Sequence, residues 1–138
     1  MRVFLDTNVL ASALGTRGLC SDVLRLILAE HELVTGEVVI EELRTVLRKK
    51  FSVPDQMVRE IEAFLRDGYV APEPERLPDL APADRGDLRV IASALSARAN
   101  VLVTGDRELL ALTKPQGLKV SSPREFRNIA SRKPRKSR

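Results

Sequence analysis

The sequence predicts an α/β fold, a three-layer α/β/α sandwich whose central parallel sheet of about five short strands lies between helices. Three observations predict it. Short apolar runs rich in Val, Ile and Leu alternate with longer segments whose apolar residues recur at helical spacing. Parallel strands covered on both faces produce that alternation. The 138 residues suit one core, and with no Trp and few aromatics that core must be built from Leu, Val, Ile and Ala.

The elements follow in order. Val3-Phe4-Leu5 opens a buried strand that ends at Asp6. Asn8 is placed to cap a helix over 9–14. Gly15 and Gly18 mark a loop, and Ser21 and Asp22 start a second helix that ends near His31. A second strand is expected over 33–35. Residues 37–50 read as a third helix with Val39, Ile40, Leu43, Val46 and Leu47 on its apolar stripe. Pro54 suits the first turn of a fourth helix, which stops at Gly68. A third strand follows over 69–71. Pro72, Pro74, Pro78 and Pro82 make 72–83 an irregular connector within one domain. A fifth helix is expected over 84–99, then a buried strand over 100–104 that ends in Gly105-Asp106, where the glycine permits an unusual turn. A short helix over 107–112, a strand over 118–120 and a helix over 123–129 close the chain. The domain is expected to span 1–130, with 131–138 a disordered basic tail.

Composition narrows the function. No apolar run is long enough to span a bilayer, and the short apolar start interrupted by Asp6 is no secretory signal, so a cytoplasmic protein with no membrane partner is expected. The lone Cys20 excludes an internal disulfide and a cysteine zinc site, and is expected to be a small buried hydrophobe. The formal charge is +4, yet residues 124–138 hold seven Arg or Lys against Glu125 alone, so the rest of the chain is slightly acidic. Such a tail suits a phosphate-bearing partner or simply a solvated end. His31, the single histidine, lies between Glu30 and Glu32 and is expected in solvent. That leaves no histidine base and no Ser-His-Asp triad. Glycine-rich phosphate loops are also missing.

What remains is carboxylates. Asp6 and Asp106 both follow buried strands, on the sheet edge where ligands of open α/β folds bind. An Asp at the end of a buried strand needs compensation of its charge, by a cation or by N–H donors in a helix cap. Thr7 and Asn8 beside it are supporting polar groups or turn residues. On the third helix Glu42 lies at the rim of the apolar stripe, one turn from Val39 and Val46, whereas Glu41 faces solvent. Asp84 and Asp87 open the fifth helix; Asp84 can cap it while Asp87 turns toward the site. Thr104 precedes Asp106, and Glu108 is expected at the surface. Clustered carboxylates repel one another unless a cation joins them, and oxygen ligands suit Mg²⁺ or Mn²⁺.

With DTN at the first strand's end, Glu42 in EELRTVL, Asp87 in DLRVIASAL and then NVLVTGDRELL, the chain resembles the PIN-domain family, and within it the VapC-like toxins, over roughly residues 1–126. The resemblance implies an Mg²⁺- or Mn²⁺-dependent endoribonuclease in which Asp6, Glu42, Asp87 and Asp106 form the catalytic and metal-binding quartet. Thr7, Asn8, Asp84 and Thr104 would support it, and Glu108 stands where many relatives carry Asp. It further implies an RNA substrate, a protein antitoxin and a homodimer. Hydrolysis by water would leave a 5′-phosphate and a 3′-hydroxyl. Three rivals stay open. They are a phosphatase with Asp6 as nucleophile, for which Asn8 stands where a second acid is wanted, a non-catalytic RNA-binding scaffold, and a partner-binding module whose acids only cap helices.

Overall fold

The computed structural model of the chain describes residues 1–80, 84–112 and 114–131. The tail from 132 onward, and 81–83 of the connector with Pro82, lie outside the described residues. The strands are β1 (Arg2–Leu5), β2 (Glu32–Gly36), β3 (Tyr69–Ala71), β4 (Val101–Val103) and β5 (Lys119–Ser121). The helices are α1 (Thr7–Gly15), α2 (Leu19–Glu30), α3 (Glu37–Phe51), α4 (Asp55–Arg66), α5 (Arg85–Ser96), α6 (Arg107–Leu110) and α7 (Pro123–Ser131). All neighbouring strands pair parallel, in the order β3-β2-β1-β4-β5. The chain thus builds outward from β1 on one side and returns to its other side with β4. That reversal leaves a crevice between the carboxyl ends of β1 and β4. The expected α/β architecture and sheet size are both observed.

The core is aliphatic, as the composition requires. Phe4, Leu5, Leu10, Ile27, Ile40, Leu47, Ile91 and Leu102 are among its fully buried side chains. Burying one such side chain contributes about 1.5–3 kcal/mol. No helix among the described residues is long and apolar enough to cross a membrane.

Several boundaries differ from expectation, each for a local reason. α1 begins at Thr7 with Asp6 as its cap, so Asn8 is not the cap; it lies inside the first turn and is exposed. α2 starts earlier than Ser21, on Gly18, whose φ of 146° lies in the region that favours glycine. α5 stops at Ser96 rather than continuing to 99, because Arg98 takes a left-handed conformation (φ 57°) that turns the chain into β4. Asn100 then locks to β1: its side-chain oxygen accepts from the Arg2 N–H, and its own N–H donates to the Arg2 carbonyl. A 3-10 turn at Pro115–Gly117, unforeseen in the sequence, delays β5 by one residue. Gly105, which permits an unusual turn, does not use that freedom, since its backbone is not left-handed. His31 is half-buried rather than solvated, with its ring edge-to-face on Phe126 at 6.0 Å. It precedes β2, on the opposite sheet edge from Asp6. Cys20 is only partly buried, within α2.

Candidate active site

Each acid reaches the crevice through the element that carries it. β1 is buried and ends at Asp6, whose N–H continues the ladder by donating to the Val103 carbonyl at 3.0 Å. The Asp6 side chain then accepts from the Thr7 N–H at 2.7 Å through Oδ1. It accepts from the Thr104 hydroxyl at 2.7 Å through Oδ2. The Thr104 hydroxyl in turn accepts from the Asp106 N–H at 3.0 Å. Thr104, fully buried at the end of β4, therefore ties the two strand ends together. Thr7 does the same toward α3, since its hydroxyl donates to Glu42 Oε1 at 2.6 Å. Glu42 is half-buried at the rim of α3, and Glu41 beside it is exposed, as the helical stripe predicts. Glu41 also borders the cleft, held 3.8 Å from Arg89.

Capping accounts for part of this set. Asp84 caps α5 by accepting from the Asp87 N–H at 2.8 Å. Asp106 caps α6 through Oδ1, accepting from the N–H groups of Glu108 and Leu109. Asp87 is different. It is 8% exposed, and its Oδ2 is buried with no hydrogen-bond partner among the described residues. Burial first, then the charges of Asp106 and Asp84, pushes its carboxyl up to about 6. Burial also raises Asp6, opposed by the hydrogen bonds from Thr104 and Thr7, with the charges of Glu42 and Asp106 adding to the rise.

These side chains meet in one cleft of about 560 Å³. Asp6, Thr7, Asn8, Glu42, Asp84, Asp87 and Asp106 all line it, so the structure brings the four expected acids together with three of their expected supporters. Thr104 lies beneath, holding Asp6. One residue gains a place that the sequence did not assign. Carboxylate oxygens of Asp84, Asp87 and Glu108 lie within 4.8 Å of one another, close enough to share a cation. This trio contains Asp87 of the expected quartet, but not Asp6, Glu42 or Asp106. Glu108 is exposed as expected and does not itself line the cleft, yet it stands in the first turn of α6 close to Asp84 and Asp87 at the start of α5. Its spacing two residues after Asp106 was the available signal.

An unpartnered buried carboxylate oxygen in an all-oxygen set fits a hard divalent cation. Asp87, Asp84 and Glu108 could hold it, with Asp6 and Asp106 lining the same cleft as Asp84 and Asp87.

The sequence matches the family described as PIN domain over residues 2–108. No curated protein matches the chain at a significant level. Among solved structures, the fold is similar to a chain in the crystal structure of VapBC2 from Rickettsia felis bound to a DNA fragment from their promoter. That match has a TM-score of 0.60 at 16% identity, over 88% of this chain and 98% of that one. A chain of VapBC-1 from nontypeable Haemophilus influenzae is similar as well, with a TM-score of 0.57 at 20% identity, over 90% of this chain and 99% of that one. At these identities the likeness is one of fold.

Proposed function

The chain belongs to the PIN-domain family, and from that premise we propose that it is a divalent-cation-dependent endoribonuclease of the VapC-like toxin type. The observation that carries the proposal is Asp87 Oδ2. Helix capping explains Asp84 and Asp106, but it leaves a buried carboxylate oxygen with no hydrogen-bond partner among the described residues, on a residue that lines an acidic cleft. A module whose acids only cap helices has no use for it.

In this reading Asp87, Asp84 and Glu108, with Asp6 and Asp106, would hold Mg²⁺ or Mn²⁺. When bound, such a cation supplies positive charge for the phosphodiester and activates water near neutral pH. The chain's own residues do the rest. Thr104 and Thr7 hold Asp6 and Glu42 in fixed orientations, so little reorganisation is needed when RNA enters. Glu42 closes the side of the cleft formed by α3. Water adds to phosphorus as the bond to the 3′ oxygen breaks, leaving a 5′-phosphate and a 3′-hydroxyl. The two structural neighbours are VapBC proteins. That likeness supports a protein antitoxin as partner here; the family resemblance, rather than these structures, implies that the antitoxin reaches the acidic cleft with a basic side chain and that the chain assembles as a homodimer.

The test is cleavage of a mixed pool of structured and single-stranded RNA by purified protein, with Mg²⁺ or Mn²⁺, with EDTA, and with Asp6→Asn as control. Cutting that needs the cation and is lost in Asp6→Asn is expected. Cation-independent cutting, 2′,3′-cyclic phosphate ends, or binding without cutting would overturn the proposal, the last in favour of an RNA-binding scaffold.

A further inference from the structure

Resting on the ribonuclease reading, we propose that the groove continues past the acids into a second lobe that holds the nucleotide next to the cleaved bond, with the Lys50 ammonium on its phosphate. The lobe has a volume of about 390 Å³ and is bordered by Asp6, Asn8 and Asp106, which also border the acidic cleft. The two spaces therefore have those three residues as a common border. A strand laid over Asp6 and Asp106 enters one lobe on each side. The volume is of the size that accepts a small ligand, one nucleotide rather than a duplex.

The far wall differs in chemistry from the cleft. It includes Ser12, Cys20 and Lys50. Lys50 stands in the last turn of α3, exposed and with no ion pair among the described residues. Of the other cations of that helix, Arg44 pairs with Glu62 at 2.8 Å and Arg48 with Asp55 at 2.8 Å, while Lys49, which also has no ion pair among the described residues, does not border the lobe. A free ammonium beside an acidic groove offsets the repulsion that a phosphate chain meets there. Asn8 and Ser12, one turn apart on α1, offer polar groups to a sugar or base.

Gly105 adds an independent argument. Its backbone is not left-handed, and a Cβ added there would meet nothing within 4 Å. Neither backbone conformation nor packing demands glycine at this position. Its effect is to leave the lobe floor bare between the two acids and the start of α7, where the strand would pass.

The test measures binding rather than cutting. A labelled short single-stranded RNA of mixed sequence is titrated in Ca²⁺ across a salt series, with intact length checked on a gel. Lys50→Ala is expected to weaken binding about tenfold at low salt, as removal of one charge-assisted hydrogen bond does. It should also flatten the plot of log affinity against log salt by about 0.7, the slope of one neutralised phosphate on a single strand. Lys50→Arg should restore both. Gly105→Leu should weaken binding without lowering the Tm, because its side chain fills the lobe and not the core. Cys20, the single cysteine, reports directly, and its alkylation should slow as RNA fills the lobe. Burial raises the thiol pKa, so the rate is read at alkaline pH. If the RNA binds while both variants match wild type and Cys20 reacts at an unchanged rate, the lobe is not on the RNA path. The ribonuclease reading then stands without it. If wild type does not bind the RNA, both fall.

Discussion

At the scale of single residues, Asp87 couples the site to stability. Its carboxyl titrates at about 6 in the folded chain against an ordinary value of 3.8. Between those values the folded state holds the proton more firmly than the unfolded state does. This group therefore makes cation-free protein lose stability as pH rises from 3.8 to about 6, with no further loss above. Asp87→Asn removes the charge. It is expected to raise the stability of the cation-free protein at neutral pH by about 1 kcal/mol while abolishing cleavage, a trade common at functional sites. The measurement is thermal unfolding of both proteins in EDTA across the pH range; the difference between them should grow through the window and then level. A cation at Asp87 should also stabilise wild type more at neutral pH than in acid. If the two proteins track each other at every pH, the buried charge is not the cause.

At the scale of elements, the junction of β2 and α3 carries a steric requirement that no propensity reveals. Gly36 has an extended φ of −151°, which any residue adopts. Its glycine is required by neighbours instead, because a Cβ there would collide with the Ser93 hydroxyl on α5. Ser93 is itself fully buried with no hydrogen-bond partner among the described residues. Gly36→Ala is therefore expected to cost about 1–3 kcal/mol by overpacking. Ser93→Ala alone should be close to neutral, and the double variant should recover much of the loss. Denaturant unfolding of the three proteins checks the cycle; an additive double variant would place the strain elsewhere. This close approach sets how near α5 lies to the sheet. α5 also carries Asp87, so the junction helps to fix the depth of that carboxylate in the cleft.

At the scale of the whole molecule, the return of the chain to β1 through β4 makes the site. Asp6 and Asp106 are one hundred residues apart in sequence and share Thr104 in space. α7 begins at the acidic edge, where Pro123 borders the second lobe, and runs toward His31 on the opposite edge. The last described residue, Ser131, thus ends a helix that leads away from the cleft. For the basic residues that follow, the role we propose is general affinity for phosphates rather than placement of the cut. Deleting 132–138 should leave the Tm and the cut positions unchanged. It should also reduce the salt dependence of RNA binding by about 0.7 for each phosphate that the tail neutralises. Altered cut positions would place the tail in the cleft instead.

The sequence by itself determined the fold class, the order of elements and four acids of the cleft, Asp6, Glu42, Asp87 and Asp106. Buried parallel strands and amphipathic helices leave local periodic signals, and a charged residue at the end of a buried strand is conspicuous. It also separated Glu42 from Glu41, because one helix stripe is enough to orient them. Tertiary structure alone decided the rest. Whether Glu108 meets Asp84 and Asp87 depends on how close the first turn of α6 comes to the first turn of α5. Asp87 Oδ2 has no hydrogen-bond partner among the described residues because of what surrounds it, not because of its neighbours in sequence. Gly36 is required by Ser93, and Gly105 is bare over open space, two opposite reasons for the same residue type. Such relations join positions far apart in the chain, and periodicity carries no information about them.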